Sequence, residues 1–181
     1  MKSRKILFLY MLTLLTSISV LTSFKNHYKN SNMDNKPVDK IDFKKFQGKW
    51  YSLTSIPTAL DKKWRKTIEN YTLKHNRFDV FTTYYKIGNP EEQSIKSKLF
   101  FYADKPDGDM KAQFLWPFKI SYFVLELPDD YSYVVIGHQD KKYLFIMSRK
   151  PTIDKSLMAA IIERCRKSGY DVDKLVSQEH N

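Results

Sequence analysis

Tyr143-Leu144-Phe145-Ile146-Met147-Ser148 runs directly into Arg149-Lys150-Pro151-Thr152-Ile153-Asp154. Alternate residues of an extended chain point to opposite faces, so Tyr143, Phe145 and Met147 share one face and Leu144 and Ile146 the other. Both faces are apolar, and a strand of that kind is covered on both sides. One cover is written just downstream. Pro151, Thr152 and Asp154 form a helix-start signal; Met158, Ile161, Ile162 and Cys165 follow at helical spacing; Arg164, Arg166 and Lys167 crowd the last turn; Gly169 is a stop. The simplest arrangement points one face of the strand into a barrel and packs this helix against the other.

Upstream, the chain from about Asp42 is a succession of short runs rich in Tyr, Phe, Val and Ile, separated by turn clusters. Trp50 to Ile56 is closed by Pro57. Ile68 to Leu73 and Phe78 to Ile87 flank His75-Asn76, and Gly88-Asn89-Pro90 makes the next break. Ser94 to Ala103, Met110 to Trp116, Ser121 to Leu127, Tyr133 to His138 and Tyr143 to Ser148 complete the series. Eight strands with hairpin-length connections and one late helix predict an all-β fold: an antiparallel barrel or sandwich, with the helix packed outside.

The 181 residues suit one domain, and 12 Tyr, 12 Phe and 3 Trp require an interior. One cysteine, Cys165, excludes a disulfide framework and a Cys-based zinc site. At the N-terminus, Lys2, Arg4 and Lys5 precede an apolar run from Ile6, the layout of an export signal over residues 1–24. Cleavage after Ser19 or Thr22 and retention as an uncleaved anchor are both open readings. Leu21-Thr22-Ser23 matches the first three positions of a lipobox, but Phe24 stands where a lipidated cysteine would, so the sequence predicts no lipobox cysteine. Residues 25–40, rich in Asn, Lys and Ser, read as a flexible tether to a domain over 41–181. Without the three leader charges, 28 basic against 20 acidic residues leave +8. That surplus suits an anionic surface.

Gly48-x-Trp50-Tyr51, within Asp42-Phe43-Lys44-Lys45-Phe46-Gln47-Gly48-Lys49-Trp50-Tyr51, resembles the lipocalins, in the branch of the bacterial outer-membrane lipocalin and apolipoprotein D. Asn70-Tyr71-Thr72-Leu73, Asp130-Tyr131, the block from Tyr143 to Thr152 and Gly169-Tyr170-Asp171-Val172 carry the resemblance onward in the same order. It implies an eight-stranded up-and-down antiparallel barrel with one C-terminal helix packed outside. It also implies a closed floor built on Gly48, Trp50 and Arg149, with the guanidinium over the indole. The inward residues it implies are Ser52, Thr54, Tyr71, Leu73, Val80, Thr82, Tyr84, Leu99, Phe101, Phe114, Trp116, Tyr143, Phe145 and Met147. These, Leu73 aside, are the candidate ligand-binding residues. Phe145 stands where relatives usually carry Trp, which implies a wider and more apolar pocket.

Rings with a few hydroxyls suit an acyl chain, with apolar walls worth roughly 0.8 kcal/mol per methylene. A barrel filled by its own side chains is the competing reading. The expected function is an exported binder of a fatty acid, lysophospholipid or similar amphiphile, for lipid storage or transport at the cell envelope or periplasm. A carrier of a small pigment such as haem, a bilin or a retinoid, and a lipid-modifying isomerase, are the alternatives. Lys66, Lys86 and Lys119 are candidates for a headgroup at the mouth, or are simply solvated. Trp64, among Lys62, Lys63, Arg65 and Lys66, suggests either contact with an anionic membrane or a lid over the barrel; Trp116-Pro117-Phe118 suggests the former as well. No nucleic-acid face is visible. No catalytic motif occurs, His27, His75, His138 and His180 have no second ligand at metal spacing, and Cys165 falls on the apolar helix face, so neither enzyme activity, cofactor nor metal is expected. Glu69 and Glu126 are the mid-strand acids; Glu69, if inward, needs a cationic partner or contacts ligand. Oligomeric state is not encoded legibly.

Overall fold

The computed structural model describes residues 33–180. The export signal and the first part of the tether lie outside the described residues. The eight expected strands form as β1 (Gly48–Ile56), β2 (Trp64–Leu73), β3 (Arg77–Lys86), β4 (Asn89–Phe100), β5 (Asp109–Leu115), β6 (Phe118–Glu126), β7 (Tyr133–Gly137) and β8 (Leu144–Ser148). Each pairs antiparallel with the next, and β1 pairs with both β8 and β2, so the sheet closes into an up-and-down barrel. Closure removes the exposed edges that an open sheet would carry.

Because neighbours alternate in direction, the β1–β2, β3–β4, β5–β6 and β7–β8 connections lie at one end of the barrel. This is the mouth. At the other end a one-turn helix, α1 (Phe43–Phe46), is capped by the Asp42 side chain and drives Phe46 into the barrel. Trp50 is fully buried beside it, donating from Nε1 to the Phe46 carbonyl at 2.9 Å. The Arg149 guanidinium lies 3.7 Å from the Trp50 ring centroid and donates to the carbonyls of Lys45, Lys49 and Phe46. Gly48 has φ +96°, a left-handed conformation that favours glycine, and a Cβ there would approach Arg149 Nη1 at 3.4 Å. Phe43, Phe46, Phe78 and Phe101 pack into a ring cluster across this floor.

The helix α2 (Lys155–Lys167) begins where the sequence places it, with the Asp154 side chain accepting from Leu157 N. Gly169, at φ +87°, ends it: Gly169 N bonds Arg166 O and Tyr170 N bonds Cys165 O, the two bonds of a Schellman motif. Its buried face, Ile161 and Cys165, joins Ile56, Leu125, Val135, Leu144 and Ile146 in an outer core. Tyr71, Leu99, Val134, Ile136 and Met147 belong instead to the inner core. β8 therefore contributes to both cores. Among the described residues no helix is long and apolar enough to cross a membrane.

Two segments depart from the sequence reading. Met33 to Lys40, part of the expected tether, lies along the outside of the barrel: Met33 is buried, Val38 exchanges backbone hydrogen bonds with Val124 and Gly108, and Ile41 N bonds Pro106 O. After a 3₁₀ turn (Val172–Lys174), the two-residue strand β9 (Val176–Ser177) pairs with Thr54 and Ser55 of β1. The polar composition of both segments hides the backbone bonds that hold them.

Candidate functional site

The barrel encloses a cavity of about 200 Å³. Of the residues expected to face inward, Ser52, Tyr71, Val80, Leu99, Phe114, Tyr143, Phe145 and Met147 line it. Adjacent strands supply them in register: Ser52 lies opposite Met147, and Tyr71 opposite Val80. Phe145 and Tyr143 are 5.3 Å apart on the inner face of the β8 run.

Thr54, Thr82, Tyr84, Phe101 and Trp116 do not line the cavity, each for a local reason. A bulge between Ser52 and Thr54 shifts the β1 register, so Thr54 lies opposite outer-core Ile146 and Ser55 opposite Phe145. One inserted residue reverses the parity on which the Thr54 expectation rested. Thr82 is buried opposite Glu69, and it is Glu69 that reaches the cavity wall. Tyr84 is covered by Trp64, the rings stacking at 3.7 Å and 10°. Phe101 stacks on Phe43 in the floor at 3.9 Å, below the cavity. Trp116 points outward at the tip of the β5–β6 hairpin, where the pairing of Leu115 with Phe118 turns the chain back. Leu73 packs half-buried against the inner core.

Trp64 is the converse. It is buried, opens β2 and lines the cavity, so the reading of it as an exposed membrane contact is overturned in favour of the lid. Lys119 lies over the outer face of Phe100 at 3.9 Å, and Lys86 over Tyr84 at 6.0 Å. Lys66 is exposed. None of the three lines the cavity, whereas Lys98 does.

One wall is polar. Tyr71 Oη donates to Glu69 Oε2 and lies 2.8 Å from Tyr122 Oη. Glu69 lines the cavity, and burial pushes its carboxyl up to about 7. Burial likewise raises the Tyr71 and Tyr122 hydroxyls well above their ordinary value. Above this group β1 and β2 separate, their pairing ending at Tyr51 and Ile68. Gln178 fills the gap: its backbone N bonds Leu53 O, its Oε1 accepts from Thr67 N at 2.8 Å, and its Nε2 lies 3.5 Å from Ser52 Oγ. Thr67 Oγ1 is buried without a hydrogen-bond partner on the same wall. Neither Gln178 nor Thr67 shows in the sequence, because no periodicity marks a tail residue that inserts between strands.

A second opening lies between β4 and β5. β4 pairs with β3 from Phe100 back to Asn89 but with β5 only over Lys98 to Phe100. An outer groove there shares Val80, Ser97, Lys98 and Phe114 with the cavity and continues to Trp116. Among the described residues no group of three His, Cys, Asp or Glu is arranged to hold a metal. Cys165 is buried in the outer core, and burial pushes its thiol up to about 12.

A closed eight-stranded barrel with a Gly48-Trp50-Arg149 floor, an interior cavity and one outer helix is now defined. A family model described as a lipocalin-like domain matches residues 41–180. The chain belongs to the lipocalin family. Among curated relatives of this lipocalin, the outer membrane lipoprotein Blc of Vibrio cholerae is 27% identical over 143 residues, covering 78% of this chain and 84% of that protein. The protein of the same name from Escherichia coli K12 is 25% identical over 140 residues, covering 77% and 79%. Temperature-induced lipocalin-1 of Arabidopsis thaliana is 26% identical, covering 76% and 78%. Among solved structures, insecticyanin from the tobacco hornworm Manduca sexta superposes with a TM-score of 0.64 at 18% identity, covering 81% of this chain and 84% of that one. At that identity the likeness concerns the fold.

Proposed function

We propose that this lipocalin is an exported envelope protein that binds one acyl chain of a fatty acid or lysophospholipid in its barrel, for lipid storage or transport. The cavity size carries the reading. About 200 Å³ lies below the roughly 300–1,000 Å³ of sites for drug-sized ligands, so the space suits a slender chain and not a flat polycycle such as haem. Its walls, from Val80, Leu99, Ile136, Phe145 and Met147, desolvate methylenes. The polar wall at Glu69 disfavours an anionic headgroup in the interior, so the chain enters tail first and leaves its headgroup toward the mouth. Export and envelope association are supported by the leader-like N-terminus and by relatives named as outer membrane lipoproteins.

The test is titration of delipidated protein with a fluorescent fatty acid. Saturable binding is expected, and Phe145→Arg, which places a charge in the cavity wall, abolishes it while circular dichroism retains the β signature. Binding that survives the substitution, or absence of binding by any single-chain lipid, refutes the reading.

A further inference from the structure

The interior carries more hydrogen-bonding capacity than the barrel itself uses. β2 and β6 stand four strands apart in a ring of eight, on opposite sides of the barrel, yet Tyr71 Oη of one lies 2.8 Å from Tyr122 Oη of the other. The two rings thus bring their hydroxyls together inside the barrel. Tyr71 gives its proton to Glu69 Oε2, so Tyr122 is the donor between the tyrosines and its own lone pairs are left over. Among the described residues Glu69 Oε1 has no hydrogen-bond partner, and no cation pairs with the carboxyl. Two residues toward the mouth on β2, Thr67 is 5% exposed and lines the same cavity, its Oγ1 buried without a partner.

Polar groups left over in an interior are rare, because each keeps the cost of its lost hydration. The chemistry of these three says what would complete them. The Tyr122 oxygen accepts; the Thr67 hydroxyl donates and accepts; the Glu69 carboxyl, which burial favours in its protonated form, does both as well. None of them is a cation. Such a set repels a carboxylate or phosphate, which needs positive charge, and suits a neutral hydroxyl, which donates once and accepts twice. Position then fixes where on the ligand that hydroxyl sits. Glu69 lies five residues along β2 from Trp64 at the mouth, roughly 16 Å along the strand by its rise per residue. A chain entering tail first meets this group well past its own carboxylate.

We infer that the barrel selects an acyl chain bearing a hydroxyl well along its length, and that Glu69, Tyr122 and Thr67 hold that hydroxyl. This rests on the acyl-chain reading above and names the class of chain. A plain methylene chain fills the same space but leaves the Glu69 carboxyl and the Thr67 hydroxyl without a partner, and that difference is what separates the two classes.

Calorimetric titration of the delipidated full chain with oleic acid and with ricinoleic acid, its counterpart hydroxylated in mid-chain, tests the inference. Ricinoleic acid is expected to bind about tenfold more tightly, the worth of one interior hydrogen bond. α-Hydroxystearic acid, hydroxylated next to the carboxylate, is expected to bind no better than stearic acid. These comparisons need no variant. In variants the ratio is read within each protein, so a change common to both lipids cancels. Glu69→Gln, whose amide still donates and accepts, is expected to keep the preference. Glu69→Leu and Tyr122→Phe, which are similar in size and lose the polar atoms, are expected to bring the ratio near one, with circular dichroism confirming that each folds. Equal affinity for oleic and ricinoleic acid in wild type, a ratio unchanged in both Glu69→Leu and Tyr122→Phe, or an equal gain from the α-hydroxyl overturns the inference and leaves the acyl-chain reading standing. Binding of neither chain overturns both.

Discussion

Glu69 sets a carboxyl in the cavity wall beside the Tyr71 hydroxyl. Folding raises its carboxyl from an ordinary 4.5 to about 7 through burial, so the native state favours the proton. The stability this group contributes is fully present below pH 4.5 and is lost as pH rises to about 7, above which an ionised Glu69 costs roughly 3 kcal/mol. Urea unfolding at pH 5 and pH 8 is expected to show that loss in the wild type, and Glu69→Gln is expected to flatten it. Equal pH dependence in the two proteins contradicts the assignment. The residue scale is also where the sequence is least legible. The family resemblance, extended along each strand by period-two alternation, places Tyr71, Val80, Leu99, Phe145 and Met147 on the cavity side, and it holds where the strands run regularly through the barrel wall. It fails at Thr54, where a bulge intervenes, and at Trp116, where the strand ends before the side chain could face inward. Trp64 and Gln178 escape it altogether, since their places depend on a stacked ring and on a gap between β1 and β2, strands far from Gln178 in sequence.

At the scale of elements, the order of eight strands and the late helix are legible because each carries its own period and punctuation. What binds the helix to the barrel is not. Arg164 of α2 is buried, with Nε 2.9 Å from Glu126 Oε2 and Nη2 2.5 Å from Glu126 Oε1, while Tyr133 Oη donates to the same carboxylate. Arg164 resembles the exposed cations that usually follow a helix dipole, and only the packing of α2 over β6 and β7 turns it inward. Removing one partner of a buried pair strands the other, so Arg164→Ala is expected to cost about 3–5 kcal/mol. Glu126→Gln/Arg164→Met, which replaces both charges, is expected to cost less than Arg164→Ala. Chemical denaturation of the two variants checks the order. A loss below about 1 kcal/mol for Arg164→Ala would mean that the pair behaves as an exposed one.

At the scale of the whole molecule, the barrel wall separates two cores with different duties. The outer core fastens α2 and the N-terminal segment to the barrel; the inner core is dense at the floor and leaves the cavity above it. This division predicts how ligand binding and stability combine. A ligand bound only by the native state adds about 2.7 kcal/mol at a hundredfold excess over its Kd. Ile161→Ala, which empties a fully buried site in the outer core, is expected to cost about 2–5 kcal/mol. Ile161 does not line the cavity, and changes with no shared partners combine additively. The fatty-acid increment measured by denaturant titration is therefore expected to be the same in Ile161→Ala as in the wild type, while in Phe145→Arg it vanishes. An increment that shrinks in Ile161→Ala shows that the helix side of β8 sets the shape of the cavity, and that the wall transmits strain between the cores instead of isolating them.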